Sequence, residues 1–262
     1  MGGPEALKTT RPSHIADEEW ALRVRLAACY RLFDYMKWTD SIFNHITVRA
    51  PGRERHFLIN PFGLHYSEVT ASNLVKIDLE GNTIGKSDYG INPAGFVIHS
   101  AIHAAREDAH CIMHTHTTEG MAVACKKDGL SHDNFYGAVL LGQVAYHDFE
   151  GITTRDDEKP RLVKSLGDRN VLILRNHGLL TCGETIAKAF TLLRRVQRAC
   201  EVQCATEAIA GETIGLPDEV RMVSRRAALN HQPNETLSDR EFDAWVRKME
   251  AEYRGEYLDF RQ

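Results

Sequence analysis

The sequence predicts a mixed α/β chain wrapped around a covered central strand, and three observations carry that expectation. Segments with apolar residues at helical spacing alternate along the chain with short runs of strand-like composition. One such run, AHCIMHTH, is apolar on both alternating faces, as a strand covered by helices on both sides would be. Of the 262 residues, 43% are hydrophobic and 26% charged, a balance that supports one sizeable core.

Each element follows from local pattern. Over residues 17–37, Trp20, Leu22, Val24, Leu26, Tyr30 and Phe33 recur at mostly helical spacing behind acidic residues that suit a helix N-terminus. HITVRAP and HFLINP read as short strands around a turn at Pro51-Gly52, and NLVKIDLEGNTIG as a strand with an EGN turn. Asn92-Pro93 breaks the chain before a helix over residues 96–105, with His99 and His103 one turn apart. EGMAVACKK reads as helix, GAVLLGQVAYHDF as strand and RDDEKPRLVKSLG as helix. VLILRNHGLLTCG is expected to form two strands meeting near Asn176-His177-Gly178, and residues 185–210 a long helix stopped by Gly211. LNHQPNETLS is the most loop-like stretch that follows. The tail opens with Ser238 and Glu241 in a capping-box arrangement, and Phe242, Trp245, Met249 and Tyr253 make it a helix that docks on the body or on a neighbouring subunit.

Composition narrows the function. Lys+Arg 32 against Asp+Glu 36 leaves a net charge of −4, with no global pull towards nucleic acid or an anionic membrane. No apolar run approaches the ~18 residues of a membrane span, and the N-terminus has no signal-peptide core, so the cytoplasm is the expected compartment. The Met-Gly start resembles a myristoylation motif, but Ala6 stands where Ser or Thr is preferred. Six cysteines without a C-x-x-C pair read as buried thiols, Cys200 and Cys204 included.

The chemistry concentrates in histidine. His114 and His116 are two apart, a spacing that sends both imidazoles to one face of a strand, about 6 to 7 Å apart along the chain. Such a pair suits a catalytic cation, because the strand fixes two nitrogen vectors. With thirteen histidines in the chain, hydrogen-bonded core histidines are the competing reading. His177, between Asn176 and Gly178 at the junction of two strands, sits where a tight turn could present a third ring to a cleft.

IMHTHTTEGMAVA together with VLILRNHGLLTCGETIAKAF resembles the class II aldolase and adducin head-domain family, and GQVAYHDFEGI with the helix ending ACEVQ is most similar to its adducin-like branch. The match runs from about Trp20 to Gly211. The resemblance implies a three-layer α/β/α fold around a largely antiparallel central sheet. Residues 1–19 are then an N-terminal extension, and 20–262 a single domain with a C-terminal docking helix. It also implies a homotetramer with sites at subunit interfaces. By motif, the family's three metal-holding histidines match His114, His116 and His177, a set with an open position for a substrate carbonyl. Zinc is the default ion, and manganese, iron or nickel also suit imidazole.

Three departures shape the functional expectation. The family's catalytic glutamate, four residues before a histidine matching His99, falls on Gly95, which removes a proton-transfer group worth ~10² to 10⁴ in rate. Small hydroxyl residues that grip phosphate are replaced by Phe62, Pro93 and Ala94, although Asn44 and Gly63 match the phosphate loop. A phosphorylated sugar is therefore not the expected substrate. Asn44 is either a turn cap or a ligand contact. Tyr136 stands near the place of a family tyrosine that donates a proton across the subunit interface, with a buried interface aromatic as the alternative. Glu119 either substitutes for the lost carboxylate or supports the next helix N-terminus. His45, His99 and His103 could line the cleft or satisfy buried hydrogen bonds.

The expectation is a metal-dependent lyase acting on a small, non-phosphorylated oxo or hydroxy acid, by aldol cleavage or decarboxylation. The second is a non-catalytic adducin-like binding or assembly domain, lacking the long lysine-rich tail of animal adducins. Sugar-phosphate epimerisation ranks last, for want of the phosphate-gripping hydroxyls.

Overall fold

The computed structural model describes residues 11–152, 155–230, 235–253 and 259–262. In chain order the elements are α1 (Asp17–Tyr35), β1 (His45–Arg49), β2 (Phe57–Ile59), β3 (Val75–Ile77), α2 (Pro93–Ala105), β4 (Cys111–Thr115) and α3 (Thr118–Ala124). They continue with α4 (Phe135–Val139), β5 (Val144–His147), α5 (Lys159–Leu166), β6 (Val171–Leu174), β7 (Gly178–Gly183), α6 (Ile186–Glu207), α7 (Asp218–Asn230) and α8 (Glu235–Glu252). The strands form one seven-stranded sheet ordered β3-β2-β1-β4-β7-β6-β5. Only the β5–β6 pair is parallel; every other pair is antiparallel.

β4 holds the middle position and is buried along its whole length, as its two-sided apolar pattern predicts. Its alternate residues serve different layers. Cys111 and Met113 join Ile46, Val48, Val171 and Ile173 in a core covered by α1, α6 and α8, with Phe33, Phe190 and Phe242 among its members. Ile112 joins Leu172, Leu174 and Leu180 under Ile98 and Ile102 of α2 and Leu162 and Leu166 of α5. The architecture is therefore helix, sheet, helix, and the polar residues of β1 and β4 that matter below face the α2 side.

Local chemistry explains the boundaries. Thr185 caps α6 by accepting the Lys188 amide at 3.1 Å, and Asn92 caps α2 by accepting from Ala94, with Pro93 at the first helical position. α1 ends at Tyr35, two residues before the expected limit, and Lys37 there takes φ 60°.

Four expectations need correction. GAVLLGQVAYHDF is not one strand: its start lies in α4, capped by Asn134 accepting the Gly137 amide at 2.8 Å, and only Val144–His147 is extended. A short apolar run does not by itself distinguish a buried helix from a strand. α8 begins at Glu235, so Ser238 lies inside the helix, fully buried, rather than capping it. LNHQPNETLS is largely helical, since α7 reaches Asn230 and α8 starts at Glu235; residues 231–234 lie outside the described residues. Of the cysteines, Cys125 is exposed and Cys204 half-buried, because one caps the end of α3 and the other sits in the last turn of α6; all six are free thiols. α7 was not foreseen, although Asp218 and Glu219 open it as acidic first-turn residues.

The tail helix docks on its own chain. Phe242 meets Phe190 edge-on at 5.3 Å, Arg25 of α1 pairs with Asp239 and Asp243, and Arg194 of α6 pairs with Glu241 at 3.0 Å. Among the described residues, no helix is long and apolar enough to cross a membrane.

Candidate metal centre

The antiparallel register of β4 and β7 sets His114 opposite Leu180 and Thr115 opposite Leu179. His114 is the penultimate residue of β4, and His116 lies just past the strand end. Between β6 and β7 the chain reverses over Arg175-Asn176-His177. Asn176 takes the left-handed φ of 56°, and the His177 amide donates back to the Leu174 carbonyl at 3.1 Å. Gly178 is required by close approach: a Cβ there would stand 2.3 Å from the Thr115 carbonyl oxygen and 3.2 Å from the His116 ring. The Asn-His-Gly sequence thus folds the turn tightly against the end of β4 and delivers His177 to the other two rings.

The three histidines converge. His114 Nε2 lies 2.7 Å from His116 Nε2 and 3.3 Å from His177 Nε2, and one ring nitrogen of each falls within 4.8 Å of the others. Nitrogens bound to a tetrahedral zinc at Zn–N of about 2.0–2.1 Å are about 3.3 Å apart, so the donor set suits a small divalent ion. Second partners set the tautomers. His114 Nδ1–H donates to the Leu179 carbonyl at 2.9 Å, and His116 Nδ1–H donates to the Asp40 carboxylate at 2.9 Å. Burial, with His177 and His116 beside it, holds His114 well below the usual imidazole range; burial and His116 bring His177 down to about 4. Rings that donate from Nδ1 turn their Nε2 atoms towards one another, the atom that a divalent cation would bind.

Asp40 was not foreseen as part of the site. It lies 76 positions from His116, in a loop with no strand or helix pattern, and only the fold brings the two together. It makes a carboxylate–histidine pair of the kind that orients metal ligands. Its backbone amide also donates to Asn44 Oδ1 at 2.6 Å, so Asn44 acts as the turn cap. Yet Asn44 Nδ2 is buried without a partner, which leaves a donor for a ligand. Gly63 is exposed at φ 100° with open space around it. Its turn meets the approach to α2, where the Phe62 amide donates to Gly90 O at 3.0 Å and Asn92 Nδ2 to Phe43 O at 3.3 Å. Asn44 and Gly63 therefore occupy loops joined through the lead into α2.

Tyr136 stands on α4, edge-on to Phe135 at 5.2 Å, and is not part of the histidine cluster. Glu119 lies in the first turn of α3, where Thr117 supplies the cap, and accepts from Gln197 at 3.3 Å. His99 and His103 are both hydrogen-bonded within the α2 layer.

Fold and site together define the class. Residues 24–204 match the Class II Aldolase and Adducin N-terminal domain, and the chain belongs to that family. A Caulobacter vibrioides protein named for aldolase class 2 is 49% identical over 78% of this chain and 80% of its own. Alpha-adducin of Rattus norvegicus is 44% identical over 88% of this chain, which spans only 33% of the adducin. Among solved structures, an aldolase II superfamily protein from Pseudomonas syringae superposes with a TM-score of 0.87 at 43% identity, covering 95% of this chain and 98% of that one. L-fuculose 1-phosphate aldolase from Glaciozyma antarctica superposes with a TM-score of 0.78 at 30% identity, covering 93% and 94%.

Proposed function

We propose that this chain is a metal-dependent lyase acting on a small, non-phosphorylated oxo or hydroxy acid, by aldol cleavage or decarboxylation. The observation that carries the reading is the convergence of His114, His116 and His177, with His114 and His116 held in the metal-binding tautomer by Leu179 and Asp40. These three residues hold a divalent ion, zinc first and manganese second. When bound, such an ion supplies a Lewis acid for a carbonyl oxygen. Asn44 Nδ2, buried and unpaired, suits a carboxylate oxygen of the substrate, and the open turn at Gly63 leaves room beside it. Phe62, Pro93 and Ala94 bring no side-chain donor, which supports a substrate without phosphate. Tyr136 is assigned the proton-donor role in the site of a neighbouring subunit of a homotetramer. Residues 20–262 act as one domain, and the compartment is the cytoplasm.

The second reading, a non-catalytic adducin-like binding or assembly domain with a retained metal site, is favoured by the 44% identity to alpha-adducin. Elemental analysis separates the two. Wild-type protein is expected to carry one metal ion per chain, and His114→Ala, His116→Ala and His177→Ala, each checked for folding, are expected to lose it. A wild type that stays metal-free after zinc and manganese loading removes the lyase reading and leaves the binding role.

A further inference from the structure

A fourth imidazole lies against the candidate ligands. The β1–β4 register pairs His45 with His114, and their ring centroids are 5.1 Å apart. His45 is only 3% exposed, and its electrostatic neighbours after His99 are His116 and His177. Its own ring nitrogens are not among those that cluster as a metal set.

Behind this ring runs a continuous polar chain. His45 Nδ1 lies 2.9 Å from His99 Nε2, and His99 Nδ1 lies 2.7 Å from Thr47 Oγ1. Thr47 Oγ1 is in turn 2.7 Å from His103 Nε2, and His103 Nδ1 is 2.8 Å from the Ala109 carbonyl oxygen. The last link fixes every other. A carbonyl only accepts, so His103 Nδ1 carries the hydrogen. All three rings are almost fully buried, which disfavours a charge, so His103 Nε2 is bare and accepts from the Thr47 hydroxyl. With its one hydrogen committed, Thr47 accepts from His99 Nδ1–H. His99 Nε2 is then bare and accepts from His45 Nδ1–H. The chain of donors thus runs inward from His45 to Ala109 and leaves His45 Nε2 as a lone pair with no hydrogen-bond partner among the described residues.

The ring is also held sterically. A Cβ at Gly95 would come within 2.3 Å of His45 Cδ2 and 2.7 Å of Nε2, so His45 can stand here only because residue 95 has no side chain. His45 Nε2 keeps solvent access beside the candidate metal site, and a ligand that displaces that solvent must bring a donor or leave the nitrogen unpaired. An oxo group cannot supply one; a hydroxyl can.

We propose that His45 Nε2 is the acceptor that selects a hydroxyl group on the substrate, and that His99, Thr47 and His103 are positioning residues that hold its lone pair towards the cleft. The proposal rests on the reading of this cleft as a metal site for small acids, and narrows the substrate to a hydroxy acid.

Zinc-loaded full-length protein should be titrated with pairs of acids differing by one hydroxyl, lactate against propionate and malate against succinate, with zinc content measured alongside. The expected result is one zinc per chain and an affinity about tenfold higher for the hydroxy member of at least one pair, the worth of one buried hydrogen bond. His45→Ala is expected to keep its zinc and lose the preference. Thr47→Val is expected to reduce the preference and Thr47→Ser to restore it, a rescue that a merely structural role would not produce. Equal or absent binding of both members of each pair by zinc-loaded wild type overturns the proposal and leaves the metal reading standing. Loss of zinc in folded His45→Ala also overturns it, by making His45 a ligand, while a zinc-free wild type removes the underlying reading itself. Should His45→Ala fail to fold, the Thr47 variants decide: a preference unchanged in Thr47→Val refutes the relay.

Discussion

Asp40 organises the candidate site from outside the histidine set, through its contact with His116. Its side chain fixes the His116 tautomer, and its amide pins Asn44, so the same residue ties the candidate metal centre to the adjoining Asn44 loop. Asp40→Asn should preserve the fold but weaken metal affinity about 10- to 100-fold, the usual cost of losing such a partner. Competition with a chromophoric chelator measures this directly, and an unchanged affinity would remove Asp40 from the site. Gly95 deserves the same scrutiny. Alanine gains helix propensity on α2, but its methyl meets the His45 ring, so Gly95→Ala should turn His45 aside and destabilise the fold by about 1–3 kcal/mol. A urea midpoint equal to wild type would show that the ring can move at no cost.

At the scale of elements, the β6–β7 turn and the tail helix carry different loads. In the turn, Gly178 faces the Thr115 backbone, which cannot rotate away as a side chain could. Gly178→Ala should therefore cost about 3 kcal/mol, the upper end of overpacking penalties, and withdraw His177 from its partners. Chemical denaturation and metal content are read together here, and a variant normal in both contradicts the close-approach argument. α8 contributes packing instead. Phe242 is 1% exposed among Phe190 and the α1 residues, so Phe242→Ala should lower stability by about 3–5 kcal/mol while leaving metal binding in the folded fraction unchanged. A small loss would mean that α8 rests on the body without completing its core.

At the scale of the whole molecule, buried neutral histidines link stability to pH. Burial brings His103 down to about 3 and holds His45 and His99 well below the usual imidazole range. An unfolded histidine titrates near 6.5, so below that pH the unfolded chain binds protons that the folded chain refuses. The stabilisation is thus complete above pH 6.5 and is lost as pH falls towards the folded value. For His103 alone, lowering the pH from 7 to 5 should cost about 2 kcal/mol, the slope approaching 1.36 kcal/mol per pH unit once the unfolded ring is protonated. Urea unfolding at pH 7 and pH 5 should show this loss, and His103→Gln should show less of it. Equal stability at both pH values would mean that these rings accept protons while folded.

Much of this was legible before any coordinates. The two-sided apolar pattern of AHCIMHTH placed β4 inside the sheet, and H-x-H with Asn-His-Gly made candidates of the three rings that meet, through side-chain period in a strand and backbone freedom at a turn, while the family resemblance joined them into one set. Local pattern failed where two structures share one composition, as in GAVLLGQVAYHDF, and where a helix begins upstream of a plausible cap, as at Ser238. What only the tertiary structure decided lies in contacts between distant segments. Asp40 reaches His116 from a patternless loop, His45 takes the space that Gly95 leaves, and Thr47 links two histidines of α2 across the sheet surface. Spacing along a chain determines which residues share a face, but hydrogen-bond direction and steric exclusion depend on which faces meet, and that is set by packing.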